Sequence, residues 1–255
     1  LCYDVIHKNE PCFKDTDEHR LLINISRGPL SIYAPIFGGM IDPTVVIADF
    51  PLKYTIVGMG KLFDIGINAV VPSQRAIPGF LLDPKIKNRS RLHYQIANIE
   101  VSKYNGDNNW ALLLDPDGFV TEGTGANFFI IKDGKIITPK GKNILRGISR
   151  SYIFELSEQL DIECVEQDIE LYDVNTADEA FMTGTPFCIL PVTSLNSIGI
   201  GEVKQRRITS KLLSQWSNNV GLDIVEQIKN FNRETEKEKS NGSTPYHFSA
   251  GNEND

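Results

Sequence analysis

The chain has 255 residues, 41% hydrophobic and 23% charged, a globular composition that excludes disorder of the whole chain. Folding at this size buries roughly 70 to 75% of the surface that the unfolded chain exposes. The formal net charge of −7 comes from 33 acidic and 26 basic residues without long runs. No broad basic face exists to neutralise a phosphodiester backbone, which excludes nucleic acid as the expected partner.

Cys2, Cys12, Cys164 and Cys188 form no CxxC pair, and their density suits reduced, buried thiols in a cytoplasmic protein. The longest apolar stretches, such as 111–114 and 128–131, fall far short of the ~20 residues that span a bilayer, so no membrane is expected. The opening LCYDVIHKNE meets a charged residue before any apolar region forms, unlike a signal peptide. It also lacks an initiator Met, which predicts a trimmed N-terminus or a fragment.

In chain order, LLINIS and TVVIADF read as short strands flanking a Gly- and Pro-rich loop, with a linker near Pro51. A second region opens with NAVVPSQ and IPGFLLDP. The period then changes: Leu92, Ile96, Ile99 and Lys103 recur at helical spacing beside Ala97. Next come WALLLD, a turn at Asp115 to Gly118, FVTE, the bend GTG, and NFFIIKDGKIITP, where Asp133 and Gly134 suit a two-residue hairpin turn. A helix is predicted from Ile148, with Ile148, Tyr152, Leu156 and Leu160 on one face. ECVEQDI follows as a strand, LYDVNTADE as a short helix, EAFMTGT and CILPVTSL as strands, and 206–220 as a last amphipathic helix. The expected fold is α+β with mixed sheets. Residues 232–255 are nearly all polar and small, which predicts a disordered tail.

Three segments carry candidate chemistry. Glu122 closes the strand FVTE, and Gly123 and Gly125 beside it have no Cβ, so a ligand ring can approach the backbone closely. Gly147, Ile148 and Ser149 in LRGIS open a helix, whose free N–H groups and dipole favour a phosphate by about 0.3 to 1 kcal/mol for the dipole part. The turn TGTP, 183–186, offers the Gly184 or Thr185 N–H and the Thr185 hydroxyl to the same phosphate. Taken singly, these are also an ordinary hairpin corner, helix start and turn. GTGAN is no dinucleotide loop, because no third glycine follows and NFFIIK alternates as a strand. His7, His19, His93 and His247 are scattered, with no Cys partner at ligand spacing, and no metal site is expected. His93 adjoins Tyr94 at a helix start and reads as structural.

The ordered blocks LLLDPDGFVTEGTGANFFIIKDGKIITP, ILRGISR and EAFMTGTPFCILPV, with TVVIADFP upstream, resemble the class IV aminotransferases, fold-type IV enzymes of pyridoxal 5′-phosphate (PLP). The resemblance runs from about Ile23 to Leu222. It implies a small N-terminal domain over 1–55, a larger PLP-binding domain with a pseudo-barrel sheet over 56–231, and the tail from 232. It places Glu122 at the pyridine nitrogen, where a carboxylate keeps the ring protonated and able to accept electrons. Leu145 would pack on the ring, Gly147, Ile148 and Ser149 would hold the phosphate with Gly184 and Thr185, and Tyr94 would reach the phenolic oxygen. Asn127 would support the Glu122 loop. An amino acid and a 2-oxo acid would be the substrates, and a homodimer the assembly.

Two departures qualify the resemblance. The family's cofactor-binding lysine falls at Ser90 in RSRLHYQ, and a hydroxyl cannot make the covalent carbon–nitrogen link to PLP. Non-covalent PLP and transamination by an altered base are therefore expected. Lys87 and Lys85 lie nearby, but a three-residue slip along a strand would turn Lys87 to the opposite face. The family's YGxGxFE-type stretch with its phosphate-binding arginine is also missing, so the small domain reads as truncated. The alternatives are a lyase of the aminodeoxychorismate type, which releases pyruvate, and a non-catalytic binding or regulatory descendant.

Overall fold

A computed structural model describes residues 1–40, 42–201 and 206–240. The chain divides into two compact units, Leu1–Val57 with the segment from Glu234, and Gly58–Arg233.

The first unit contains helix α1 (Cys2–Asn9) and an antiparallel pair of strands, β1 (His19–Ile25) and β2 (Val45–Pro51), in register from His19 opposite Pro51 to Ile25 opposite Val45. These are the two strands read from LLINIS and TVVIADF. Its buried charge is Lys53, whose Nζ lies 2.6 Å from Asp17 Oδ1 and 3.7 Å from Glu238 Oε1. A charge taken out of water requires such partners.

The second unit holds helices α2 (Leu62–Ile65), α3 (Leu92–Val101), α4 (Ile148–Gln159), α5 (Leu171–Asn175) and α6 (Arg207–Val220). Its strands are β3 (Ile67–Val70), β4 (Asn109–Leu114), β5 (Val120–Gly123), β6 (Asn127–Lys132), β7 (Lys135–Thr138), β8 (Cys164–Glu166), β9 (Glu179–Gly184), β10 (Cys188–Leu195) and β11 (Ile198–Gly199). They form one sheet in the order β11-β10-β3-β4-β5-β6-β7-β8, with β9 bonded to both β10 and β6. The circuit β10-β3-β4-β5-β6-β9 therefore closes on itself. This is the expected α+β pseudo-barrel, and closure leaves no free edge within the ring.

Local chemistry explains the connections. Asp133 and Gly134 both take positive φ, as a two-residue turn between Lys132 and Lys135 requires. Phe129, Ile131 and Ile136 pack with Ile153 and Leu156 of α4 and Leu212 of α6, and the Phe129 and Phe181 rings stack at 4.8 Å. Glu179 accepts the Ile208 and Thr209 N–H groups, each at 2.9 Å, which satisfies two first-turn donors of α6.

Four readings of the sequence change. Helix α7 (Ile224–Ser240) covers the first part of the stretch read as a disordered tail from Asn232, and 241–255 lie outside the described residues. Composition misses it because the anchoring is partly ionic: Thr235 is buried, and Glu238 pairs with Lys14 at 2.7 Å as well as lying near Lys53. On α3 the spacing finds the helix, but Ala97 and Val101 face the core while Leu92, Ile96 and Ile99 are exposed. On α4, Ile153 and Leu156 are buried and Ile148 is 88% exposed. Finally, Cys12 is exposed and the other three cysteines are half-buried, all with free thiols, so they are not the buried set expected.

Candidate active site

The sheet brings the corner after β5, the start of α4 and the turn after β9 around one cavity of about 180 Å³ in the second unit. Its lining includes Tyr94, Glu122, Leu145, Ile148, Gly184 and Thr185, together with Gly147 and Ser149. Every cofactor-binding candidate read from the sequence thus lies on one surface. Cavities of this order accept a single aromatic ring.

Glu122 is the chemical centre of that surface. It ends β5 opposite Asn127 of β6 and is only 5% exposed. Its Oε1 accepts the Tyr94 hydroxyl at 2.9 Å and its Oε2 accepts Asn127 Nδ2 at 2.9 Å, while the Leu145 N–H is shared between both oxygens at 3.1 Å. Burial pushes the carboxyl up to about 7, against the opposing pull of the Leu145 N–H, the Tyr94 hydroxyl and the positive charges of Arg91 and Lys87. Burial and the neighbouring carboxylate also raise the Tyr94 phenol above its ordinary value. Three donors meet a group with about four acceptor sites, so one further donor fits.

Asn127 ties this carboxylate to α4. Its Nδ2 also donates to the Leu145 carbonyl at 2.8 Å, and a Cβ at Gly147 would overlap its Oδ1. Gly147 is therefore required by close approach; its φ of −66° is ordinary. No side chain caps α4 at Gly147, so the N–H groups of its first turn stay available to an anion. Gly125, also in the lining, has nothing within 4 Å of where a Cβ would stand.

Among the described lining residues, Lys87, Arg91 and Arg146 are cationic and Glu122 is the carboxylate. Sequence reasoning passed over both arginines, since isolated basic residues carry no pattern; their place is set only when the 87–94 segment meets the start of α4. Ser90 and Lys87 are both exposed; Lys87 belongs to the lining and Ser90 does not. Lys85 is also absent from the lining and pairs with Asp83 at 2.8 Å. His93 neighbours Tyr94 with ring centroids 4.1 Å apart, and burial lowers its pKa.

Comparison with known proteins identifies the family. The model of the family described as Amino-transferase class IV matches residues 2–195. A putative branched-chain-amino-acid aminotransferase of Methanocaldococcus jannaschii is 38% identical over 154 residues, covering 60% of this chain and 53% of the relative. The branched-chain-amino-acid aminotransferase of Salmonella typhimurium is 32% identical over 218 residues, covering 83% of this chain and 66% of the relative. The chain thus spans between about half and two thirds of the length of these two relatives. Among solved structures, the Escherichia coli branched-chain amino acid aminotransferase superposes with a TM-score of 0.71 at 29% identity, over 87% of this chain and 69% of that one. The PLP form of the Thermobaculum terrenum enzyme gives 0.66 at 25% identity, over 84% and 67%. The chain belongs to the class IV aminotransferase family.

Proposed function

We propose that the chain binds PLP in the Glu122 cavity and transfers an amino group between an amino acid and a 2-oxo acid. The observation that carries this reading is the buried Glu122 carboxyl, with a pKa pushed up to about 7 and capacity for one more donor, beside an uncapped helix start. A protonated pyridine nitrogen is such a donor, and a phosphate suits the first turn of α4. PLP, when bound, supplies the electron sink that stabilises a carbanion at the substrate Cα.

The chain's own residues set the conditions for that chemistry. Glu122 would hold the proton on the ring nitrogen, with Asn127 and the Leu145 N–H fixing the carboxylate in place. Ile148, Ser149, Gly184 and Thr185 would hold the phosphate, and Leu145 would pack against the ring. Tyr94, whose hydroxyl donates to Glu122 Oε1 at 2.9 Å, would help orient the carboxylate toward the ring nitrogen, so its proton is engaged there and not on the phenolic oxygen expected from the resemblance. Arg91 and Arg146 add positive charge suited to a phosphate and a substrate carboxylate. Branched-chain amino acids are the first substrates to test, because both curated relatives are named for them.

Leu92, Ile96 and Ile99 expose large apolar side chains on α3, as Phe80 and Leu81 do in the segment before it, which supports homodimer formation. The four free thiols support a cytoplasmic setting. The functional test incubates the full PLP-loaded chain with a branched-chain amino acid and a 2-oxo acid acceptor. Appearance of the branched 2-oxo acid, reduced in Glu122→Gln, is expected; release of pyruvate alone would instead favour a lyase, and no product with any amino acid would reject the reading.

A further inference from the structure

We infer that Arg150 is a positioning residue for the phosphate end of the candidate site: its buried guanidinium ties the first turn of α4 to Pro139 and Glu166 and so fixes the direction in which that turn offers its free N–H groups to an anion. The inference rests on the PLP reading above and adds to it a residue that lies outside the cavity lining. The first hydrogen bond of α4 runs from the Ser151 N–H to the Gly147 carbonyl at 3.0 Å. The N–H groups of Ile148, Ser149 and Arg150 precede it, and no side chain caps the helix at Gly147. Ile148 and Ser149 line the cavity, so this uncapped turn borders it.

Such a turn binds an anion well where it is held still, because hydrogen bonds act by direction as well as by charge. Ahead of the turn, Asn127 Nδ2 holds the Leu145 carbonyl at 2.8 Å. Behind it Arg150, only 5% exposed, donates from Nη2 to the Pro139 carbonyl at 3.0 Å and to Glu166 Oε1 at 2.6 Å. Its guanidinium also lies 5.2 Å from the centroid of the Phe154 ring. Glu166 ends β8 opposite Thr138 of β7, and Pro139 follows Thr138, so both anchors belong to the sheet. Glu166 accepts the Gly141 N–H as well, and the Gly141 carbonyl accepts Arg146 Nε at 3.4 Å. Through Gly141 the same carboxylate therefore reaches a cation of the lining.

Stability alone does not account for a guanidinium at this place. Arg150 Nε is buried without a hydrogen-bond partner among the described residues, and an apolar side chain of similar volume commonly replaces a buried ion pair at equal or lower cost. An apolar chain would not supply the two directional bonds that orient the first turn.

The test measures equilibrium binding of PLP, of pyridoxal, which lacks the phosphate, and of inorganic phosphate to the full chain, to Arg150→Met and to Glu166→Ala. PLP and inorganic phosphate are expected to bind Arg150→Met about 5- to 30-fold more weakly, as the loss of one or two well-aimed hydrogen bonds implies, with pyridoxal affinity unchanged. Glu166→Ala should show a smaller loss of the same pattern, and Arg150→Lys, which keeps a donor, should recover part of the affinity. If Arg150→Met fails to fold, Glu166→Ala carries the comparison, since the Glu166 side chain is 44% exposed. Equal losses for PLP and pyridoxal, or unchanged PLP affinity in the variants, overturn the inference and leave the PLP reading standing. No saturable PLP binding to the wild type overturns both.

Discussion

Replacing Glu122 by Gln should change how the stability of the cofactor-free protein depends on pH. The native carboxyl has a pKa pushed up by burial to about 7, from an ordinary value of 4.5. Below about pH 4.5 it is protonated in both the native and the unfolded chain. Between 4.5 and 7 the unfolded chain releases the proton while the native chain keeps it, so native stability falls as pH rises and levels off above about 7. At 1.36 kcal/mol per pKa unit, this single group removes about 2 to 3 kcal/mol between pH 5 and pH 8. Gln cannot ionise, and the altered hydrogen bonds to Tyr94, Asn127 and Leu145 cost the same at both pH values. Urea unfolding of wild type and Glu122→Gln at pH 5 and pH 8, without added PLP, isolates the difference. Wild type should lose about 2 to 3 kcal/mol more than the variant over that interval. Equal losses in the two proteins would refute the claim that a desolvated carboxyl sits at the end of β5.

Gly147→Ala drives a Cβ into Asn127 Oδ1, and a lower thermal midpoint corresponding to about 1 to 3 kcal/mol is expected, with weaker PLP binding in equilibrium dialysis. Asn127→Ala removes one donor each from the Leu145 carbonyl and Glu122 Oε2, which keep the Gly147 and Leu145 N–H groups, and costs about 1 to 3 kcal/mol in chemical denaturation. Ile96→Glu places a charge on the exposed face of α3; sedimentation should show dissociation to monomers, and an unchanged sedimentation coefficient would argue against that face as the dimer contact.

The parts of the fold visible in the sequence are those fixed by local rules. A two-residue Asp-Gly turn, alternating strands and a glycine-led helix start specify β6, β7 and α4 before any long-range contact is known. The resemblance placed Glu122, Gly147 and Gly184 in one group; the local pattern adds only that strand ends and helix starts are where backbone N–H groups remain free. Which helix face is buried is a different matter. On α3 the larger aliphatic residues point outward and the smaller Ala97 and Val101 inward, since helix and sheet approach closely there. Helix α7 escaped notice because ion pairs and a buried Thr235, with few apolar residues, hold its end. The turns before α3, which bring Lys87 and not Ser90 into the cavity lining, were invisible for a similar reason: a run of turns has no period to count.

The Glu122 carboxylate is expected to meet the ring nitrogen of PLP, and a titration of PLP into the full chain and into Glu122→Gln, followed by cofactor absorbance, reads that contact. Saturable binding of about one PLP per chain is expected, weakened roughly 10- to 150-fold in the variant, as loss of a charge-assisted hydrogen bond of about 1.5 to 3 kcal/mol requires. Equal affinity in the two proteins, or no saturable binding to wild type, would contradict it.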